Sequence, residues 1–305
     1  MPSPEARTEA GVAVAAPAVV ARHAWISGVR RRVAPLMPVL RFVGFVAAIA
    51  LVASVGVRAA ADVRLRDLAW WPLPLVVAGA GAWWLLLGRG WALLARGRTT
   101  RADISLWVRT QALRFVPGGF WAPVSRVALL EGNALTRVST VAAENVLALS
   151  ASLALGGAAL AISGRLAWLG LVAIVAVPLV GARLLPAGGL SPARIRRAGL
   201  NDALAFGAYA AAAVLVQIAV SGSVDAPAVA GAALVAWGAG LVVVIAPSGI
   251  GVRELVYVRL LAGTLPYGEL AAASIAMRLA MIVAELAVLL VAGRPVARAD
   301  VPAER

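Results

Sequence analysis

Across 305 residues the chain is 62% hydrophobic and only 14% charged, with a mean hydropathy of +0.91, whereas soluble domains carry about 25% charged residues; a soluble globular fold is excluded and an integral membrane protein is indicated. The absence of cysteine and the single histidine, His23, exclude disulfides, thiolate metal sites and thiol nucleophiles and leave little for imidazole chemistry. All 28 basic residues are arginine and the net charge is +14, which in so apolar a chain reads as loop arginines that set orientation and meet anionic lipid, not as a nucleic-acid surface.

In chain order, residues 1–37 read as a disordered or basic cytoplasmic tail. Arg30, Arg31, Arg32 and Arg41 precede an apolar run from about Phe42 to Val57. The segment before it is too long for the n-region of a signal peptide, so the run is a retained first span with the N-terminus inside. A second span is predicted from about Leu68 to Leu87. Trp70-Trp71 and Trp83-Trp84 stand 13 residues apart, roughly 20 Å along a helix, the spacing of two interfacial belts.

The stretch from Arg89 to Arg114 reads as the densest basic loop and is placed in the cytoplasm by the positive-inside rule. Its apolar end, Ile104 to Phe115, is too short to span and is predicted to be an interfacial or re-entrant helix. Further spans are predicted at about Val138 to Ile162, Leu166 to Leu185, Ala203 to Val220, Pro227 to Ala246 and Leu270 to Val291. The expected fold is all-α: a polytopic transmembrane bundle of about seven to eight spans with two re-entrant or broken-helix elements. It occupies residues 38–293 and is followed by a short tail, 294–305. The eighth span depends on Leu255 to Leu261 and its flanks crossing fully.

Two breaks organise the functional reading. The first is Pro117-Gly118-Gly119, followed by Ser125 and Arg126; the second is Pro247-Ser248-Gly249-Ile250-Gly251, followed by Arg253 and Glu254. At membrane depth a broken backbone has no water to bond, so it survives only when packed in protein or lining a wet cavity. Helix starts expose free N–H groups, glycine admits an anion close to the backbone, and arginine grips phosphate with two donors. Both breaks are therefore candidate phosphate sites, and an interface loop with a snorkelling arginine is the plainer alternative. Broken helices at corresponding places in two halves of a chain mark transporter binding sites.

Ionisable residues inside spans form the other signal, since they are costly there and face a partner or a wet path. Glu144 and Asn145 lie near the start of one span, and Arg278 and Glu285 share a face of the last. A Glu144–Arg278 or a Glu285–arginine pair would close the bundle, or a carboxylate would carry a proton. No Walker loop, His-Glu-x-x-His, Cys/His cluster or Gly-x-Ser-x-Gly elbow is present. ATP hydrolysis and zinc chemistry are thereby excluded, and no cofactor or metal is expected.

The run Phe115-Val116-Pro117-Gly118-Gly119-Phe120-Trp121-Ala122-Pro123-Val124-Ser125-Arg126-Val127-Ala128-Leu129-Leu130, the later Glu144, and Pro247-Ser248-Gly249-Ile250-Gly251-Val252-Arg253-Glu254 resemble the transmembrane region of lysylphosphatidylglycerol synthases and its flippase-like polytopic relatives. The resemblance runs from about Phe42 to Val291. It implies movement of an anionic phospholipid or a polyprenyl-phosphate-linked sugar across the cytoplasmic membrane in cell-envelope biosynthesis, beside glycosyltransferases as partners. Both glycine turns would line a head-group cavity, with Arg126 and Arg253 near phosphate. The family's Glu-Arg pair appears here as Glu144-Asn145, and its second Pro-Gly-Gly as Pro-Ser-Gly. The soluble aminoacyl-transfer domain of the bifunctional members has no counterpart, so no enzymatic activity is carried over. Two other functions stay open. One is a membrane glycosyltransferase using Asp62, Asp67 or Asp225, and the other a non-transporting scaffold for envelope enzymes.

Overall fold

The computed structural model describes residues 68–115, 121–164, 190–222, 224–243 and 249–292. Long Ala, Leu and Val runs with proline confined to helix starts make helix the favoured state of these segments. Among them the chain forms eight α-helices, one 3₁₀ turn and no strand. They are α1 (Leu73–Arg96), α2 (Arg101–Gln111), α3 (Trp121–Leu129), α4 (Ala134–Ile162), α5 (Pro192–Ser221), α6 (Ala226–Val242), α7 (Val252–Leu260) and α8 (Tyr267–Ala292); the 3₁₀ turn, Ala112–Phe115, extends α2. Side chains set several starts: Asn133, Ser191 and Asp225 accept the N–H of Thr136, Arg194 and Ala228 at the heads of α4, α5 and α6. Thr100 and Asp103 form a reciprocal capping box at α2, and Asp103 also meets Arg96 at 3.1 Å, pinning the turn between α1 and α2.

Four helices, α1, α4, α5 and α8, are long and apolar enough to cross a membrane. The outward face of α8 shows what they face. Leu279, Val283, Leu286 and Leu290 are all exposed at helical spacing, while Met277, Met281, Ala284 and Val288 turn inward. An apolar band of that kind suits lipid and would be a liability in water.

Several sequence expectations change. The Arg89-to-Arg114 stretch is mostly helix: α1 continues through Arg89 to Arg96, and α2 begins at Arg101. Trp83 and Trp84 are only 2% exposed and form no interfacial belt. They belong to an internal aromatic cluster in which Trp83 meets Trp84 (5.0 Å), Trp84 meets Trp107 (5.1 Å) and Phe206 meets Trp237 (4.6 Å). Edge-to-face rings held this way add about 0.5–1.5 kcal/mol each beyond their buried area, and the helices α1, α2, α5 and α6 converge on them. Helix α6 ends at Val242, short of the predicted Ala246. The nine-residue α7 covers about 13 Å at 1.5 Å per residue, less than half a bilayer core of about 30 Å, so it supplies no eighth span by itself. The predicted tails, the first span and the span from Leu166 to Leu185 lie outside the described residues.

Helices α1 and α5 run antiparallel. The Ala69 N–H donates to the Ala219 carbonyl at 2.9 Å near one end, the Asn201 amide donates to the Leu86 carbonyl, and Gly97 lies beside the Arg194 side chain at the other end. Helices α4 and α6 are likewise antiparallel, and glycine makes their approach possible. A Cβ on Gly231 would stand 2.8 Å from the Gly156 carbonyl oxygen. Small residues are how helices reach each other in lipid, where no hydrophobic force drives them together.

Candidate functional site

Ile250 of the second break joins residues of α5, α6, α7 and α8 in lining a cavity of about 110 Å³. Helix α7 returns along α6 because Gly240 and Gly249 lie back to back. Gly249 is left-handed (φ 67°), and a Cβ there would stand 2.7 Å from the Gly240 Cα. Any other residue is strained twice over at that position. Gly251 is also left-handed (φ 84°) and heads α7. Its N–H donates to Glu254 Oε2 at 2.7 Å, while Glu254 Oε1 meets Arg278 on α8 at 3.2 Å. Both oxygens of Glu254 are thus engaged.

Arg253 is differently placed. Its stem packs on Gly240, and its guanidinium carbon sits 5.4 Å from the centre of the Trp237 ring. Among the described residues its Nε has no hydrogen-bond partner and its guanidinium forms no ion pair. The cavity wall also carries Tyr209 and Tyr257, and the Tyr257 hydroxyl donates to Gln217 Oε1 at 2.7 Å. Arg253 and Arg278 against Glu254 leave the wall with one surplus positive charge, set among Met277, Met281 and Ile282.

The first break leads to a closed arrangement. Arg126 on α3 is 2% exposed and meets Glu144 of α4 at 3.1 Å, although its Nε and Nη1 are not aligned for hydrogen bonding. The indole N–H of Trp107 donates to the other Glu144 oxygen at 2.6 Å. The Trp107 ring packs against Gly88 of α1. The Glu144–Arg278 pair considered from sequence is not formed: Glu144 takes Arg126, and Arg278 takes Glu254.

Of the other candidates, Ser125 donates to its own helix at the Ala122 carbonyl (2.8 Å) and Asn145 to the Val141 carbonyl (2.8 Å). Glu285 is buried on α8 but does not line the cavity. Pro117, Gly118, Gly119, Pro247 and Ser248 lie outside the described residues. Sequence reasoning passed over Trp107, Tyr209, Tyr257 and Asp202. Asp202 fell one position before the predicted span at Ala203, and an Asn-Asp pair at the very edge of an apolar run was the available signal. Among the described residues no group of three or more acidic, histidine or cysteine side chains is placed to hold a metal ion. No protein-family model matches the chain, and no curated protein does. The likeness to lysylphosphatidylglycerol synthase membrane regions therefore rests on the quoted residues alone.

Proposed function

We propose that the protein moves the head group of an anionic lipid, a phospholipid or a polyprenyl-phosphate-linked sugar, across the cytoplasmic membrane, and that the cavity between α5 and α8 receives it. The observation that carries this reading is Arg253: a half-buried side chain whose guanidinium has a buried, unpartnered Nε and no ion-pair partner among the described residues, on a cavity wall of surplus positive charge. An uncompensated cation inside a bundle is expensive, and a ligand anion is what offsets it. The aliphatic wall at Met277, Met281 and Ile282 suits the glycerol or prenyl end of such a ligand. The paired α6–α7 and α2–α3 elements fit the broken-helix design of carriers.

The reading accounts for Asp225, the one external acid of the glycosyltransferase alternative within the described residues, as the cap of α6. The test is translocation of fluorescent phosphatidylglycerol in proteoliposomes containing the full chain. Arg253→Gln is expected to lower the rate at least tenfold with helicity unchanged. Equal rates in wild type and variant would remove the cavity from the mechanism.

A further inference from the structure

Where the cavity between α5 and α8 has a surplus positive charge, the interface of α1 and α5 holds a buried acid. Asp202 lies in the first half of α5 and is 3% exposed. The Asp202 carboxylate packs directly on Gly90 of α1, where any Cβ would collide with Oδ1. The adjoining Asn201 side chain lies against the same glycine, and its amide is committed to the Leu86 carbonyl. No arginine reaches Asp202 among the described residues.

The contacts lead from Asp202 to Glu144 of α4: Gly90 lies two residues from Gly88, against which Trp107 packs, and the Trp107 indole N–H donates to Glu144. Arg126 is engaged with Glu144, and α1 meets the Asn201–Asp202 pair through Gly90 and the Leu86 carbonyl. Asp202 is therefore a carboxylate buried in a helix interface with no cation of its own among the described residues. Burial makes an unpaired charge costly, and a bound proton removes that charge. Glu144 is the wrong candidate for that proton, because it already receives both a guanidinium and an indole N–H. Asp202 receives neither.

We infer that Asp202 is a proton-binding site that loads and releases a proton during the transport cycle, with the Glu144–Arg126 pair as the neighbouring charge that its ionisation disturbs. The proton binds the carboxylate oxygen and leaves it again, with no other bond made or broken. A proton crossing with an anion also balances the charge moved by the Arg253 cavity, so the coupling part of this inference rests on the transport reading above.

Two measurements on the full-length protein in lipid nanodiscs and proteoliposomes test it. Infrared difference spectra between acid and alkaline pH should show the carbonyl stretch of a protonated carboxyl in the wild type. Asp202→Asn, which mimics the protonated form at equal volume, should lose that band while keeping its circular dichroism. In proteoliposomes the wild-type rate should change severalfold with an imposed pH gradient, and the Asp202→Asn rate should not respond. A band absent from the wild type, or unchanged in the variant, overturns the inference, as does a rate that follows a sodium gradient and ignores pH. A band lost in the variant alongside no lipid movement by the wild type upholds the proton site and sinks the transport reading instead.

Discussion

The two halves of the bundle use one plan and finish it differently. In each, a nine-residue helix after a Pro-x-Gly break precedes a long helix and shares an ion pair with it: Arg126 of α3 with Glu144 of α4, and Glu254 of α7 with Arg278 of α8. Glu144 is the eleventh residue of its helix and Arg278 the twelfth of its own, so the partners stand at matching heights. The signs are reversed, with the cation on the short helix in the first half and on the long helix in the second. The first half uses its arginine up in the pair. The second adds Arg253, one residue before Glu254, and the extra cation is left facing a cavity. A single additional guanidinium thus separates a locked corner from a candidate binding site.

The largest effect is expected from opening the locked corner. Glu144→Ala leaves Arg126 buried without a counter-charge and removes the acceptor of the Trp107 indole. Breaking one partner of a buried pair costs about 3–5 kcal/mol, so the thermal midpoint in nanodiscs should fall steeply. Replacing Arg126 and Glu144 together by Met and Leu should recover much of that loss, since an apolar pair of similar volume carries no orphaned charge. If the single and the double variant melt alike, the pair is not what holds α3 to α4.

Next in size is the indole contact. Trp107→Phe keeps a ring over Gly88 and against Trp84 but deletes the N–H that reaches Glu144. Hydrogen bonds between membrane helices average about 0.6 kcal/mol and reach about 1.7, while a charged acceptor is worth about 1.5–3. A loss of about 1–2 kcal/mol is expected, read in the same melting experiment, and it should vanish in the Glu144→Leu background. Additive losses would show that the ring and not the N–H matters.

How much of this was legible in the chain depends on which force decided each element. Helix and apolarity were plain, because composition settles them locally and the described helices hold proline only in their first turn. The C-terminal ends of α4, α5 and α8 followed from the apolar runs to within one residue, but the starts came earlier than predicted, at Ala134, Pro192 and Tyr267, because Asn133 and Ser191 cap α4 and α5 outside the apolar stretch. The tryptophans were misplaced because Trp83-Trp84 has the spacing of a belt and nothing local distinguishes a lipid interface from a helix crossing; that is decided by Phe206 and Trp237, more than a hundred residues away. The charged residues were recognisable one by one, but their pairing was not. Glu144 had several arginines to choose from, and the choice depends on which short helix folds back against α4. Asp202 escaped notice because a polar residue at the edge of an apolar run reads as a boundary until Gly90 is seen to make room for it.

The smallest change in stability is expected where the two halves differ most. Arg253→Gln removes a cation that has no ion-pair partner among the described residues, so the relief of its desolvation opposes the loss of its stacking on Trp237, a contact worth about 0.5–2 kcal/mol. The two terms nearly cancel, and the melting free energy should move by no more than about 1 kcal/mol while lipid translocation collapses. Stability and activity would then separate at Arg253, whereas at Glu144 they fall together. That split is the signature of a charge kept for a ligand and not for the fold. An Arg253→Gln variant that melts as early as Glu144→Ala would mean that Arg253 is a structural cation like Arg126, and the two halves would be equivalent after all.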